Sequence, residues 1–199
     1  MAKTTDTLTK IALMAALQCI ISPFAIVFPI SPVPLSLATF VLYLSIYILG
    51  KKYATVSCVI YLLIGLVGIP VFSGFAGVVG KLLGPTGGYL LGYPVLTFIG
   101  GWCMEAWSNR AKGMKLVGAM GSSEIEKLTC IIHGLGLAFG TMVCYLLGSL
   151  WLSYQTGMDF ASALGVGVIP FLPGDVFKII IGVVAGNIVR KRLRKAGLV

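Results

Sequence analysis

The stretch FLPGDVFKIIIGVVAGNIV, residues 171–189, followed by the basic tail Arg190-Lys191-Arg192-Leu193-Arg194-Lys195, decides how this chain is read. From Val176 to Val189 it is apolar enough to cross a bilayer, and it ends at a cluster of cations, the signature of a membrane helix with a cytoplasmic terminus. At its mouth stand Asp175 and Lys178, one helical turn apart. An ionised side chain at membrane depth costs at least ~2.5 kcal/mol on insertion scales, so such a residue faces a partner, a cavity or a ligand. Asp175 follows the turn signal Pro173-Gly174 and is predicted in the first turn of the last helix, where the helix dipole stabilises negative charge. Two readings stand for the pair. It is an internal ion pair that neutralises both groups, or a ligand site. As a site, its acceptor and donor suit a neutral polar head bearing N–H and C=O, or Lys178 takes a ligand carboxylate.

Working outward, the 199 residues are 58% hydrophobic and 11% charged, with a mean hydropathy of +1.01, more apolar surface than a water-soluble domain of this size can hide. The expectation is one domain over residues 1–199, an all-α integral membrane protein of six transmembrane helices. The apolar runs are Leu8 to Phe28, Leu35 to Leu49, Tyr53 to Ile69, Gly87 to Trp107, Leu128 to Tyr154 and Phe171 to Val189. The first is too long for a signal-peptide core and ends in Pro29-Ile30-Ser31-Pro32, so it reads as a retained helix.

With the amino terminus inside, every one of the 15 Lys and Arg residues except Lys81 and Lys178 falls on the cytoplasmic side, as does the carboxyl terminus. The formal charge of +9 is thereby topogenic: it is scattered over short loops and a tail, which argues against a nucleic-acid-binding face. The outer loops are then Pro29 to Pro34, Pro70 to Gly88 and Gln155 to Pro170; the inner ones are Gly50 to Lys52 and the polar Ser108 to Lys127. The second outer loop, between helices 3 and 4, holds Gly74, Gly77, Gly80, Gly84, Gly87 and Gly88 yet stays largely apolar. It is expected to be partly re-entrant, folded back as a lid, because non-helical backbone at membrane depth needs protein cover.

Catalytic constellations are scarce. His133 lies in the fifth apolar run without an acidic or cysteine neighbour and reads as a packed or hydrogen-bonded residue. Glu105 is a carboxylate snorkelling to the interface or a contact for a partner subunit, with the first reading favoured. Cys19, Cys58, Cys103, Cys130 and Cys144 lack the paired spacing of a metal or redox site and read as packing residues; no metal is expected. A Walker A pattern ending at Gly80-Lys81 would need glycine where Phe75 stands and Ser or Thr where Leu82 stands, so any linked ATP hydrolysis belongs to another chain.

The run from Pro70-Val71-Phe72-Ser73-Gly74-Phe75-Ala76-Gly77 through Gly84-Pro85-Thr86-Gly87-Gly88-Tyr89, together with Pro173-Gly174-Asp175-Val176-Phe177-Lys178, resembles the BioY family over nearly the whole chain. Members of that family are the biotin-specific substrate-capture (S) subunits of energy-coupling-factor vitamin transporters. The resemblance implies a high-affinity biotin site near the outer face, with no cofactor beyond the transported ligand. It implies assembly in a bacterial or archaeal plasma membrane with a transmembrane coupling protein and two cytoplasmic ATPases. It also implies an Ala-x-x-x-Ala element on the first helix for the coupling protein, matched by Ala12 and Ala16. Asp175 would accept from a ureido N–H and Lys178 donate to the ureido oxygen. Tyr89 and Gly88 would contribute to the pocket, with Phe72 and Tyr93 as apolar walls. Some relatives carry a basic residue just after the tyrosine, whereas Leu90 and Leu91 follow here. The backbone amides of Gly84 to Tyr89, Gly87 among them, and the Thr86 hydroxyl are the candidate donors to the biotin carboxylate. Two other classes compete on the residues alone: a stand-alone proton-coupled carrier using Asp175 and Lys178, and a membrane enzyme using Asp175 or His133.

Overall fold

The computed structural model describes residues 2–26, 33–77, 79–117 and 121–197. Its elements are helix α1 (Ala2–Ile21), the two-residue strands β1 (Ala25–Ile26) and β2 (Leu35–Ser36), helix α2 (Ala38–Leu66), and the short α3 (Val79–Leu83). These are followed by α4 (Gly87–Val117), α5 (Ser122–Thr156), α6 (Phe160–Gly167), a 3-10 turn (Ile169–Phe171) and α7 (Leu172–Lys195). By length and composition, Ala38–Leu66, Ser123–Thr156 and Phe160–Leu193 are long and apolar enough to cross a membrane.

α2 is a hairpin rather than one rod. Gln18 Nε2 donates to the Ala38 carbonyl at 3.1 Å, and Ser22 Oγ meets Tyr61 Oη at 2.5 Å, so both ends of α2 touch the same end of α1. A straight helix would set Ala38 and Tyr61 ~35 Å apart. The chain reverses at Gly50, whose φ of 74° lies in the left-handed region that only glycine adopts without strain. The second arm then begins with an unsatisfied N–H, and Glu105 of α4 supplies the acceptor: Lys51 N donates to Oε1 at 3.1 Å while Lys51 Nζ sits 3.0 Å from Oε2. Glu105 is therefore a helix cap reaching across from a neighbour, where the sequence favoured a snorkelling carboxylate. Counting the two arms of α2, the bundle has six long helical arms.

The bundle is apolar outside as well as in, unlike a water-soluble protein. Leu135, Phe139, Met142, Leu146 and Leu150 form a continuous exposed stripe along α5, and Val176, Phe177, Ile180, Val184 and Ile188 do the same on α7. Inside lie Gln18, Ser22, Ser45, Ser57, Thr97, Thr141 and Ser149, most of them bonded to a carbonyl or hydroxyl of the same or a neighbouring helix. Such a surface is compatible only with a hydrocarbon environment.

Several boundaries differ from the sequence reading. α1 ends at Ile21 instead of Phe28, because Ser22-Pro23 turns the chain and Ser36 Oγ fastens that turn by donating to the Ser22 carbonyl at 2.9 Å. The strands then pair antiparallel, Ala25 with Ser36 and Ile26 with Leu35, and with an isolated bridge between Phe72 and Ala76 they are the departures from an all-α fold among the described residues. The span expected as an inner loop, Ser108 to Lys127, is mostly helix: α4 runs on to Val117 and α5 starts at Ser122, with Glu124 favourably placed in its first turn. Hydropathy marked where the apolar runs stop, not where the helices stop. Likewise Gln155 to Pro170 contains α6, whose amino end is capped by Asp159 Oδ2 accepting from Ala161 N at 3.0 Å. Of the first outer loop, residues 29–32 lie outside the described residues.

The glycine-rich segment is buried at its flanks and exposed at its tip. Val71, Phe72 and Leu82 are buried, whereas Phe75, with a left-handed φ of 54°, is 62% exposed and stacks edge-on to Phe24 at 5.6 Å. Gly74 N ties the tip to the Pro23 carbonyl at 2.9 Å. The hairpin bend makes one direct prediction. A Gly50→Val variant must hold a branched side chain at positive φ, with its Cβ about 3.2 Å from Glu105 Oε1, and is expected to lose about 1–3 kcal/mol of stability. Thermal unfolding in detergent measures it, and an unchanged midpoint would show that the reversal does not depend on glycine.

Candidate functional site

The first two turns of α7 carry Asp175 and Lys178, 5% and 7% exposed, joined by an ion pair of 2.7 Å between Nζ and Oδ1. The Lys178 ammonium also donates to the Ser36 carbonyl at 2.7 Å and to Thr39 Oγ1 at 3.3 Å. An ammonium has three hydrogens, and these three acceptors, from α7, β2 and the first turn of α2, use all of them. Asp175 Oδ2 accepts from the Tyr145 hydroxyl of α5. Four elements thus converge on one neutralised pair, which is what makes two buried charges tolerable.

The pair borders a chamber of about 50 Å³ whose polar lining includes Thr39, Thr141 and Tyr145 as well as Asp175 and Lys178. A second chamber, about 20 Å³, is lined by Phe72, Ser73, Lys81, Thr86 and Leu90. Val33, Pro34, Tyr89 and Tyr93 line both, so the two tyrosines, one turn apart on α4, form the partition. Tyr89 is locked in place by donating to the Gly167 carbonyl at 3.0 Å, and its ring meets that of Tyr145 edge-on at 6.5 Å. Small-molecule pockets are typically ~300–1,000 Å³, so admitting a ligand requires the partition or the β2 wall to move.

Of the residues singled out in the sequence, Asp175, Lys178, Tyr89 and Tyr93 line the first chamber, and Phe72, Thr86, Tyr89 and Tyr93 line the second. Phe72 is fully buried, edge-on to Tyr61 at 5.6 Å, over the bare face of Gly65, where a Cβ would lie 2.1 Å from its ring. Gly87 and Gly88 face elsewhere. A Cβ on Gly87 would meet the Leu82 carbonyl at 1.7 Å and one on Gly88 would meet Trp151 at 2.3 Å, so these glycines let α4 pack against α3 and α5. Thr86 Oγ1 donates to the Lys81 carbonyl at 3.3 Å and Gly87 N to the Gly84 carbonyl at 3.0 Å, which leaves both donors engaged within the turn. Sequence reasoning missed Tyr145, Thr39, Ser36 and Thr141; nothing near them in the chain distinguishes them from other hydroxyl residues of membrane helices.

His133 lies at the opposite, basic end, buried and edge-on to Tyr47 at 5.5 Å. It borders a wider cleft of about 250 Å³ with Lys112, Thr129, Arg190 and Lys191. That cleft lacks the converging, fully buried charge pair of the first site.

A bundle of helical arms with an apolar exterior, an apolar core threaded with bonded hydroxyls and a small chamber beside a neutralised ion pair defines a multi-pass membrane protein with a polar pocket at one end. The BioY family model matches residues 1–195, and the chain belongs to the BioY family. It is 34% identical to a probable biotin transporter BioY of Pyrococcus horikoshii, over 84% of this chain and 86% of that protein. It is 35% identical to the biotin transporter BioY of Thermotoga maritima, over 77% and 78% of the two chains. It is 33% identical to the biotin transporter BioY of Lactococcus lactis subsp. cremoris, over 96% and 92%. The crystal structure of the S-component for biotin from an ECF-type ABC transporter superposes with a TM-score of 0.75 at 30% identity, covering 98% of this chain and 93% of that one.

The Tyr145 hydroxyl carries a testable share of this geometry. Tyr145→Phe removes the donor to Asp175 Oδ2 while keeping the ring, and is expected to cost about 1–3 kcal/mol in denaturant or thermal unfolding. A variant as stable as the parent would show that water serves Asp175 equally well.

Proposed function

We propose that this chain binds biotin with high affinity at the Asp175–Lys178 end and works as the substrate-capture subunit of an energy-coupling-factor transporter. The observation that carries the reading is the buried pair itself, set in a chain whose BioY relatives are named as biotin transporters. The ureido head of biotin offers N–H donors and one carbonyl oxygen. Asp175 has about four lone-pair sites, of which Lys178 and Tyr145 use two, so a ureido N–H can be accepted without displacing either. Lys178 has no spare hydrogen, and its longest bond, to Thr39 Oγ1, is the one to exchange for the ureido oxygen. Exchange of one hydrogen bond for another keeps the buried ammonium satisfied throughout.

The same reading extends to topology and partners. The six arms cross a bacterial or archaeal plasma membrane, with the basic end and both termini cytoplasmic, in accord with the distribution of Lys and Arg. The biotin site then opens outward. Ala12 and Ala16 lie on an exposed face of α1, and small residues four apart permit close approach by a helix of the coupling protein. Two cytoplasmic ATPases supply the energy, and this chain itself performs no covalent chemistry.

The test is biotin affinity of the purified protein. Asp175→Asn and Lys178→Ala each leave a buried charge unpaired, and each is expected to weaken binding at least ~100-fold. Unchanged affinity in both variants would sink the assignment. Uptake into sealed vesicles separates the competing carrier reading: transport by this chain alone, driven by a pH gradient, would replace the ATP-dependent one.

A further inference from the structure

Among the described residues, Lys81 is the one cation outside the pair that lines either chamber, and the positive-inside rule does not account for it, since it stands at the end opposite the basic tail. It is not on a free lid. Its helix, α3, is pinned to the end of α5: Trp151 Nε1 donates to the Gly84 carbonyl at 2.9 Å and Gln155 Nε2 donates to the Leu83 carbonyl. Leu82 is buried beside it, and the Thr86 hydroxyl holds the Lys81 carbonyl from the start of α4. The segment that carries this lysine is therefore fixed relative to Tyr89 and Tyr93.

Charge bookkeeping gives the position its meaning. Asp175 and Lys178 cancel each other, and every Lys178 hydrogen is already engaged. A ligand that brings a carboxylate into these chambers adds one negative charge that the pair cannot offset, and burying an uncompensated carboxylate is prohibitively costly. The donors of the Gly84–Tyr89 turn are neutral, and both Thr86 Oγ1 and Gly87 N are engaged within it. We propose that Lys81 is the counter-ion of the ligand's carboxylate. The ureido head lies over Asp175 and Lys178, the acyl chain passes the Tyr89–Tyr93 partition, and the acid ends in the chamber that Lys81 lines. This assignment rests on the biotin reading above and adds to it a second charged subsite, which selects ligands that carry an acid at the far end.

The experiment compares two probes, biotin and biotinamide, in which the carboxylate is an uncharged primary amide, on the purified full chain. Wild type is expected to prefer biotin at least ~10-fold. Lys81→Gln is expected to lose that preference by weakening biotin alone, with biotinamide binding intact as proof that the protein is folded; Lys81→Arg is expected to restore most of the preference. The inference is overturned if Lys81→Gln keeps the wild-type preference, which would return the carboxylate to the turn amides. It is overturned equally if Lys81→Gln weakens both probes alike, which would make Lys81 structural. If wild type binds neither probe, the biotin reading fails first and this inference falls with it, a result that the variants cannot mimic.

Discussion

An ammonium group buried in an apolar bundle must give away three hydrogens, and the fold is arranged so that Lys178 can. Its acceptors come from the preceding turn of α7, from β2 and from the start of α2, while the carboxylate that balances its charge is held by α5. Those elements lie far apart in the chain, so the pair is satisfied only when the bundle is assembled. Isolated, α7 would carry two costly charges; assembled, it carries a neutral and fully bonded unit. The short β1–β2 pairing owes its importance to this: it sets Ser36 where the ammonium needs a carbonyl and fastens the end of α1 at the same time.

Much of this was legible in the chain. The apolar runs located the long helical arms, and the cost of placing charge in such a run singled out Asp175 and Lys178 before any coordinates. The glycine-rich run and the Pro-Gly-Asp-x-x-Lys element pointed to the BioY family, to which the chain belongs. The partners of the pair were not legible, and the reason is physical. Tyr145, Thr39 and Ser36 lie 30, 139 and 142 positions from the residues they serve, and a lone hydroxyl in a membrane helix satisfies itself locally, so it carries no sequence signal of a distant task. The helical parts of the two expected loops escaped for another reason. Hydropathy reports the solvent around a segment, while helix formation in Ser108 to Val117 and Phe160 to Gly167 follows from backbone bonding and caps.

The two chambers rest on very little polar machinery. One buried donor–acceptor pair borders the first chamber, and two tyrosines on successive turns of α4 stand between it and the second. Tyr89 is held by a backbone carbonyl, by a ring contact and by close packing against α5, which stiffens its half of the partition. Glycines make that stiffness achievable. Gly148 and Gly167 leave room where the Tyr89 ring and hydroxyl approach, and any side chain there would displace the ring.

The bend at Gly50 carries a message about the order of events during synthesis. The acceptor that completes it, Glu105, emerges 54 residues after Lys51. Until then the turn depends on the glycine's left-handed backbone and on two adjacent lysines that resist being drawn into hydrocarbon. The α2 hairpin can accordingly enter the bilayer as a self-contained unit with a basic crown. The arrival of α4 then cancels part of that crown's charge and fixes the hairpin in its place among the other arms.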